Sequence, residues 1–230
     1  MHIRRCACLA PALLLGLTCL CLSRAGAQAT SNLLTNPGAE TGDLTGWTVG
    51  GNSNPGVDNG SFDPGINPHS GTYDFYGHTG SLGTLTQNVT LVGNQGITAT
   101  EIDSGTLLAG FSFWEQGLNQ GTPSDDASVT LDFLDVGSTS IGTFSSPEID
   151  SHNGIWENYS NSIPIPTGTR SIDYTINFIR HAGSDNDSFV DDNSLTVILP
   201  AASAVPEPGS YALLALGLPL VGLVARRRRA

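Results

Sequence analysis

Short segments in which apolar and polar residues alternate recur along most of the chain. Residues 127–133 (ASVTLDF), 172–178 (IDYTINF) and 85–91 (LTQNVTL) each place apolar side chains on one face, with Gln87 as the one polar residue on such a face. A period of two predicts antiparallel strands with one face on a core and the other in water. We therefore expect sheets rather than helices.

The same pattern, interrupted by Gly, Asn and Pro turns, predicts about seven more strands. They lie near residues 32–36, 46–49, 72–76, 107–116, 139–144, 155–163 and 188–199. Outside the two termini no segment has a helical period of 3.6 residues. The sequence therefore predicts an all-β, antiparallel β-sandwich (jelly roll) over residues 28–200, with residues 50–70 as its longest loop.

The N-terminus has the pattern of an export signal over residues 1–27. Arg4 and Arg5 precede an apolar run from Leu9 to Leu22, and "AGA" at residues 25–27 supplies the small residues that signal peptidase requires. We expect cleavage after Ala27. The cysteines Cys6, Cys8, Cys19 and Cys21 all lie in this segment, so the mature chain is predicted to have no disulfide, thiolate metal site or cysteine nucleophile.

The charge of the remaining chain is strongly negative. Residues 28–205 hold twenty of the 21 acidic residues but only two basic ones, Arg170 and Arg180, and no lysine, which gives a formal charge of −18. Such a surface repels phosphate backbones, which argues against nucleic-acid partners. It attracts divalent cations, although the same charge also keeps an exported protein soluble.

The C-terminal residues combine a short apolar run with terminal positive charge. A small-residue linker, 201–205, precedes an apolar run from Tyr211 to Ala225 and then Arg226, Arg227, Arg228 and Arg229. Fifteen helical residues rise about 22 Å, short of the roughly 30 Å hydrocarbon core, so insertion requires snorkelling arginines and local thinning. Positive charge stays cytoplasmic, which makes the arginines a stop-transfer device that leaves the domain outside.

This tail resembles the PEP-CTERM sorting signal of Gram-negative bacteria. Val205, Pro206, Glu207 and Pro208 form the motif, and the single apolar helix and the arginines follow in order up to residue 230. The resemblance implies transient inner-membrane insertion, recognition and cleavage by an exosortase-type sorting enzyme, and delivery towards the cell surface. Many such proteins accompany exopolysaccharide and biofilm genes. An ordinary C-terminal anchor is the alternative.

The two ends of the domain resemble exported carbohydrate-binding-module, galactose-binding-like β-sandwiches. The opening "NLLTNPGAETGDLTGW" (residues 32–47) and the closing "VDDNSL" (residues 190–195) carry the resemblance. It implies a structural Ca²⁺ ion shared by the first and last strands, with Glu40 and Asp191 or Asp192 as ligands; carboxylate oxygens suit calcium. The alternative is that Glu40 caps a turn and an aspartate faces solvent.

Aromatic side chains offer platforms on which sugar rings stack. Seven aromatic residues are candidates: Trp47, Tyr73, Phe75, Tyr76, Trp114, Trp156 and Tyr159. Most of these belong in a core, as do Phe111 and Phe113, and Trp47 is expected there too. Tyr73 and Tyr76, directly after the long loop, are predicted to be an exposed ligand-binding pair.

Enzyme signatures are scarce. The chain has no lysine for a P-loop, no H-E-x-x-H motif and no G-x-S-x-G elbow, while twenty carboxylates allow many pairs for glycoside hydrolysis without singling one out. The expectation is a non-catalytic surface or matrix protein that binds polysaccharide. A purely structural adhesin and an extracellular polysaccharide hydrolase are the alternatives.

Overall fold

A computed structural model describes residues 27–149 and 154–199. Eleven strands are seen there: β1 (Gln28–Ala29), β2 (Thr48–Gly51), β3 (Gly56–Asp58), β4 (Asp74–Thr79), β5 (Leu82–Thr90), β6 (Leu108–Gly117), β7 (Asp126–Leu134), β8 (Ser140–Ser145), β9 (Glu157–Pro164), β10 (Ser171–Ile179) and β11 (Asp185–Leu199). Between β5 and β6 lie a short 3₁₀ helix (Asn94–Gly96) and helix α1 (Ala99–Asp103).

The strands form two antiparallel sheets. Sheet A has the order β3-β4-β11-β6-β9, with β1 also paired to β11, and sheet B has the order β2-β5-β10-β7-β8. The long strand β11 is central in sheet A, and its register shifts between Asp191 and Ser194, where a bulge interrupts the pairing with β6. The predicted antiparallel sandwich is confirmed.

The core fills the space between the inner faces of the two sheets. Sheet B contributes mainly Leu85, Val89, Val129, Leu131, Ile172, Ile176 and Phe178, and sheet A contributes Phe75, Phe111, Phe113, Val190, Leu195 and Val197. Trp47 packs edge-on against Phe75, with ring centroids 5.3 Å apart, and against Tyr174. The alternating segments thus bury the faces that the sequence predicted, and Trp47, Phe111 and Phe113 are core residues as expected.

One predicted strand, residues 32–36, is wrong. The segment runs beside β11, where Leu33 N donates to Leu195 O, but it forms no ladder. Side chains satisfy its backbone instead. Gln87 accepts from Thr35 N at 2.7 Å and donates to Thr35 O at 3.0 Å, so the polar residue on the inner face of β5 anchors the N-terminal segment.

The predicted long loop, residues 50–70, is also wrong in one part. β3 lies inside it and pairs with β4, so that Asp58 is opposite Asp74. The remaining connection, residues 59–73, is the β3–β4 loop.

Helix α1 was not predicted because it has only five residues. Its sequence signal is the capping box of Thr98 and Glu101.

Several predictions fall on residues that the structure does not describe. These are most of the signal segment, the linker at 201–205 and the sorting tail at 206–230. Within residues 27–149 and 154–199, no helix has the length and apolar character needed to span a bilayer.

Aspartates that accept backbone N–H groups hold the turns of the sandwich. The fully buried Asp125 binds the β10–β11 turn: Oδ1 accepts from His181 N and Ala182 N, at 2.7 and 2.9 Å, and Oδ2 accepts from Asp187 N at 2.9 Å. Charged acceptors form the stronger class of hydrogen bond, so this one side chain fixes three donors of the turn.

Asp187 lies in the same turn region among other acids. Burial, together with the charges of Asp63, Asp125 and Asp185, raises its pKa to about 7. Its side chain is hydrogen-bonded to that of Asp63, whose pKa is also raised by burial and then by Asp185. Asp187 is therefore largely protonated in the folded protein at mildly acidic pH.

Asp125→Ala is expected to lower the free energy of unfolding by about 3 kcal/mol or more, because it leaves three backbone donors without their charged acceptor. Urea unfolding of the full-length chain measures this. The matched control is Asp185→Ala, at an exposed position of the same turn, which should change stability by less than about 0.5 kcal/mol. Equal effects of the two variants would show that the clamp is unimportant.

Asp187→Asn is expected to flatten the pH dependence of stability. The folded pKa of Asp187 lies near 7 and the unfolded value near 3.9, so its contribution is complete below about pH 4 and is lost as pH rises through about 7. The asparagine variant should melt close to wild type at pH 4.5 and above it at pH 8. Parallel melting curves across this range would contradict the assignment.

Candidate functional site

The predicted metal ligands converge on the end of the β3–β4 loop, residues 69–73. Asp191 and Asp192, at the bulge of β11, bind residues 69 and 70, and Glu40 binds residues 72 and 73. The loop is therefore held from two sides by acids that are distant in sequence. This arrangement joins the N-terminal segment to the last strand through the loop.

The two aspartates meet a histidine that the sequence did not predict. His69 Nδ1 lies 2.7 Å from Asp192 Oδ2, Ser70 Oγ donates to Asp192 Oδ1 at 2.8 Å, and Ser70 N donates to Asp191 Oδ2 at 3.0 Å. One ligand atom from each of His69, Asp191 and Asp192 lies within 4.8 Å of the others. This group has the composition of a metal site.

Glu40 lies outside that group. Its Oε1 accepts from Thr72 N and Tyr73 N, both at 3.0 Å. A Cβ atom at Gly71 would sit 2.4 Å from the Glu40 carboxyl carbon, and one at Gly38 would sit 2.9 Å from Asp191 Oδ1. Both glycines are therefore required where the acids approach the backbone. Glu40 therefore binds two backbone amides of the loop.

A row of buried aspartates crosses the outer face of sheet A beneath this loop. Asp58 on β3 is opposite Asp74 on β4, and the β4–β11 register places Asp191 next to Asp74. Burial first, and then the charges of Asp58 and Asp191, raise the pKa of Asp74 to about 8. Burial likewise raises the pKa of Asp191 to about 7, against the lowering effect of the Ser70 and Asp192 amides.

Two tryptophans lie beside the same loop. The His69 ring stacks on Trp114 with centroids 3.9 Å apart and meets Trp156 edge-on at 5.7 Å. Trp156 Nε1 donates to Asn67 O at 3.0 Å, which fixes the half-buried indole against the loop. A surface depression of about 380 Å³ opens here, lined by Gly65, Asn67, Pro68, Gln116, Gly154, Ile155 and Trp156.

The predicted ligand-binding tyrosines lie elsewhere. Tyr73 packs against the core with its ring against Gly42. Tyr76 lies on the outer face of sheet A between Phe62 and Phe189, with centroids 4.6 and 6.4 Å away. Neither lines the depression beside Trp156. Their role as an exposed pair that binds ligand stays a prediction.

A second group of possible ligands was not predicted from the sequence. His181 Nε2 lies 2.9 Å from Glu148 Oε2 and 3.5 Å from Asp126 Oδ2, and the three residues offer atoms within 4.8 Å of one another. The chain spacing of these residues, 126, 148 and 181, matches no motif. The pairing of β7 with β10 brings Asp126 near His181, and the Ala127–Ile149 bridge brings Glu148 to the same place.

The sorting residues Val205 to Pro208 and Arg226 to Arg229 lie outside the described part of the chain. Residues 204–229 match the PEP-CTERM protein-sorting motif, so this prediction from the sequence is confirmed. A comparison with curated proteins gives no match.

Several solved structures are similar to this chain. A cyclase from Fischerella sp. TAU is 12% identical, with a TM-score of 0.51, over 76% of this chain and all of the cyclase. TmCBM61, solved with β-1,4-galactotriose, is 24% identical, with a TM-score of 0.48, over 72% of this chain and 98% of its own. Family 16 Carbohydrate Binding Module-2 is 16% identical, with a TM-score of 0.49, over 71% of this chain and 99% of its own.

At 12% identity the likeness to the cyclase shows the fold alone. The sorting motif adds location, because it implies export, recognition by an exosortase and transient processing at the membrane. The chain thus joins a two-sheet β-sandwich to a C-terminal PEP-CTERM protein-sorting motif.

Proposed function

We propose that this is a non-catalytic protein of the cell surface or extracellular matrix, and that its sandwich binds polysaccharide in the depression beside Trp156. The observation that carries the proposal is the combination of an indole with two amide side chains, Asn67 and Gln116, around one depression of about 380 Å³. An aromatic face packs on the C–H groups of a sugar ring, and amides hydrogen-bond its hydroxyls.

Preorganisation supports the same proposal. The Trp156 indole is fixed by its hydrogen bond to Asn67 O and by the His69 ring, and His69 is itself stacked on Trp114 and bound to Asp192. A ring that is already ordered loses little conformational entropy when a ligand binds. The sorting motif complements this, since it directs the domain to where extracellular polysaccharide occurs.

The location of the perturbed acids disfavours the hydrolase alternative. Asp74 and Asp191, whose pKa values are raised to about 8 and about 7, are both fully buried beneath the β3–β4 loop. A general acid must come within hydrogen-bonding distance of the glycosidic oxygen. Among the described residues that line the open depression beside Trp156, none carries a carboxylate.

We further propose that a structural calcium ion binds where Glu40, Asp191 and Asp192 hold residues 69–73. Hard carboxylate oxygens from the N-terminal segment and the last strand are the donor type that calcium prefers. The raised pKa of the buried Asp191 supports a cation there, since uncompensated charge is costly in the interior. Glu40 would join this set, although it now binds the Thr72 and Tyr73 amides.

Trp156→Ala is expected to weaken binding to a polysaccharide selected on a glycan array by at least about tenfold, as for an aromatic residue at the centre of an interface. Affinity electrophoresis of the full-length chain measures the loss. Trp156→Phe should keep part of the affinity, and Ile141→Ala, an exposed apolar residue on β8, should keep all of it. A wild-type chain that binds no glycan on the array favours the structural adhesin.

Calcium is expected to raise the melting temperature of the full-length chain, and EDTA to reverse the increase. In Asp192→Asn the difference between calcium and EDTA should shrink, because one ligand charge is lost while the residue still tolerates the left-handed backbone, φ 48°. Asp173→Asn, a carboxylate on the outer face of sheet B, is the control. An EDTA-insensitive wild type would contradict the proposal.

A further inference from the structure

The group formed by Asp126, Glu148 and His181 belongs neither to the proposed glycan site nor to the proposed calcium site. His181 Nε2 lies 2.9 Å from Glu148 Oε2 and 3.5 Å from Asp126 Oδ2. One atom from each of the three side chains lies within 4.8 Å of the other two. Residues far apart in sequence thus direct one imidazole nitrogen and two carboxylates towards the same position.

The spacing of these atoms fits a tetrahedral metal ion. Zinc binds imidazole nitrogen and carboxylate oxygen at about 2.0–2.1 Å, so two ligands of a tetrahedral zinc ion lie about 3.3 Å apart. The two separations measured from His181 Nε2, 2.9 and 3.5 Å, lie on either side of this value. Shifts of about 0.5 Å or less therefore bring both pairs to the spacing of zinc ligands.

A proton on His181 serves these groups less completely than a metal ion does. A single N–H at Nε2 donates to one carboxylate, and the oxygen within hydrogen-bonding distance is Glu148 Oε2 at 2.9 Å. Asp126 Oδ2, at 3.5 Å, is too far for a normal hydrogen bond from the same nitrogen. A divalent cation binds all three groups and offsets the charge of both carboxylates.

Hydrogen bonds from outside the group hold two of the three ligands in place. Asp125 Oδ1 accepts from His181 N at 2.7 Å, which fixes the backbone that carries the imidazole. Ser124 Oγ donates to Asp126 Oδ1 at 3.0 Å, and the other oxygen, Oδ2, is the one that faces His181. Outer contacts of this kind orient the ligands of a metal ion and strengthen its binding.

The group is open to water on one side. The side chains of Glu148 and His181 are 47% and 35% exposed, so an ion can reach them without any change in the fold. Three protein ligands and a water molecule complete the coordination of an open zinc site. Imidazole nitrogen favours a transition metal such as zinc, whereas calcium takes six to eight oxygen ligands.

We propose that His181 Nε2, Asp126 Oδ2 and Glu148 Oε2 bind a divalent transition-metal ion of the zinc type, with water as the fourth ligand. The ion links the start of β7 to the residues that follow β10 and to the segment before Ile149. It shares no residue with the glycan or calcium sites, so it depends on neither. Residues 28–205 contain no cysteine that could make the same link by a disulfide.

Zinc titration of the full-length chain tests the site. Isothermal titration calorimetry in excess calcium should show one zinc ion fewer per chain for His181→Ala than for wild type. The cysteines of the signal segment are alkylated beforehand, because thiolates also bind zinc. Alanine keeps the backbone N–H that Asp125 accepts. Asp173→Asn, which alters a carboxylate bound to Asn88, is the control and should retain the wild-type number.

Zinc should also raise the melting temperature of wild type, and not that of His181→Ala. A wild type that binds no more zinc than His181→Ala would overturn the proposal and identify an ion pair only. Zinc lost on His69→Ala but retained by His181→Ala would do the same, because the ion then belongs to the group of His69, Asp191 and Asp192.

Should His181→Ala fail to fold, Glu148→Gln at the most exposed of the three positions is the second variant. It should weaken zinc binding about tenfold or more, since loss of even an outer contact of a metal site costs about that much. Unchanged affinity would again reject the site.

Discussion

Hydrogen bonds from backbone amides to carboxylates are the interaction on which this sandwich depends. Asp58, Asp125, Asp191 and Glu40 each accept at least two backbone N–H groups, and each fixes a turn or a loop segment. With twenty acids, two arginines and no lysine in residues 28–205, ion pairs cannot do this. Backbone amides stabilise a buried carboxylate without a counter-ion, so an acidic chain can bury charge in this way. The same hydrogen bonds fix loops that disulfides hold in other exported proteins.

The strands were predictable because one face of each is buried. Alternation over residues 85–91, 127–133 and 172–178 matches β5, β7 and β10 to within three residues, since a period of two survives only where core and solvent lie on opposite sides. The strand predicted at residues 32–36 is not formed, and the Gln87 side chain on β5 binds both backbone groups of Thr35 in its place. Strand β3 was not predicted because it has only three residues, too few to show an alternation, and one of them is an aspartate.

The site was predictable only in part. Glu40, Asp191 and Asp192 were found through their position at the two ends of the domain, and all three do act on one five-residue segment. His69, Asn67 and Trp156 carry no local signal that sets them apart. Their proximity depends on how the β3–β4 loop crosses sheet A and meets residues 154–156, which sequence spacing does not encode.

The β3–β4 loop connects the buried acids to the surface depression. Asp58 holds its first turn, Asp191 and Asp192 hold its end, and its middle residues, Gly65 to Pro68, form one wall of the depression beside Trp156. Whatever compensates the charge of the row therefore also fixes this wall. Ionisation of all three acids would set their charges against each other beneath the loop and loosen the wall of the depression. The charge of the acids in sheet A and the binding proposed at Trp156 are thus coupled through one loop.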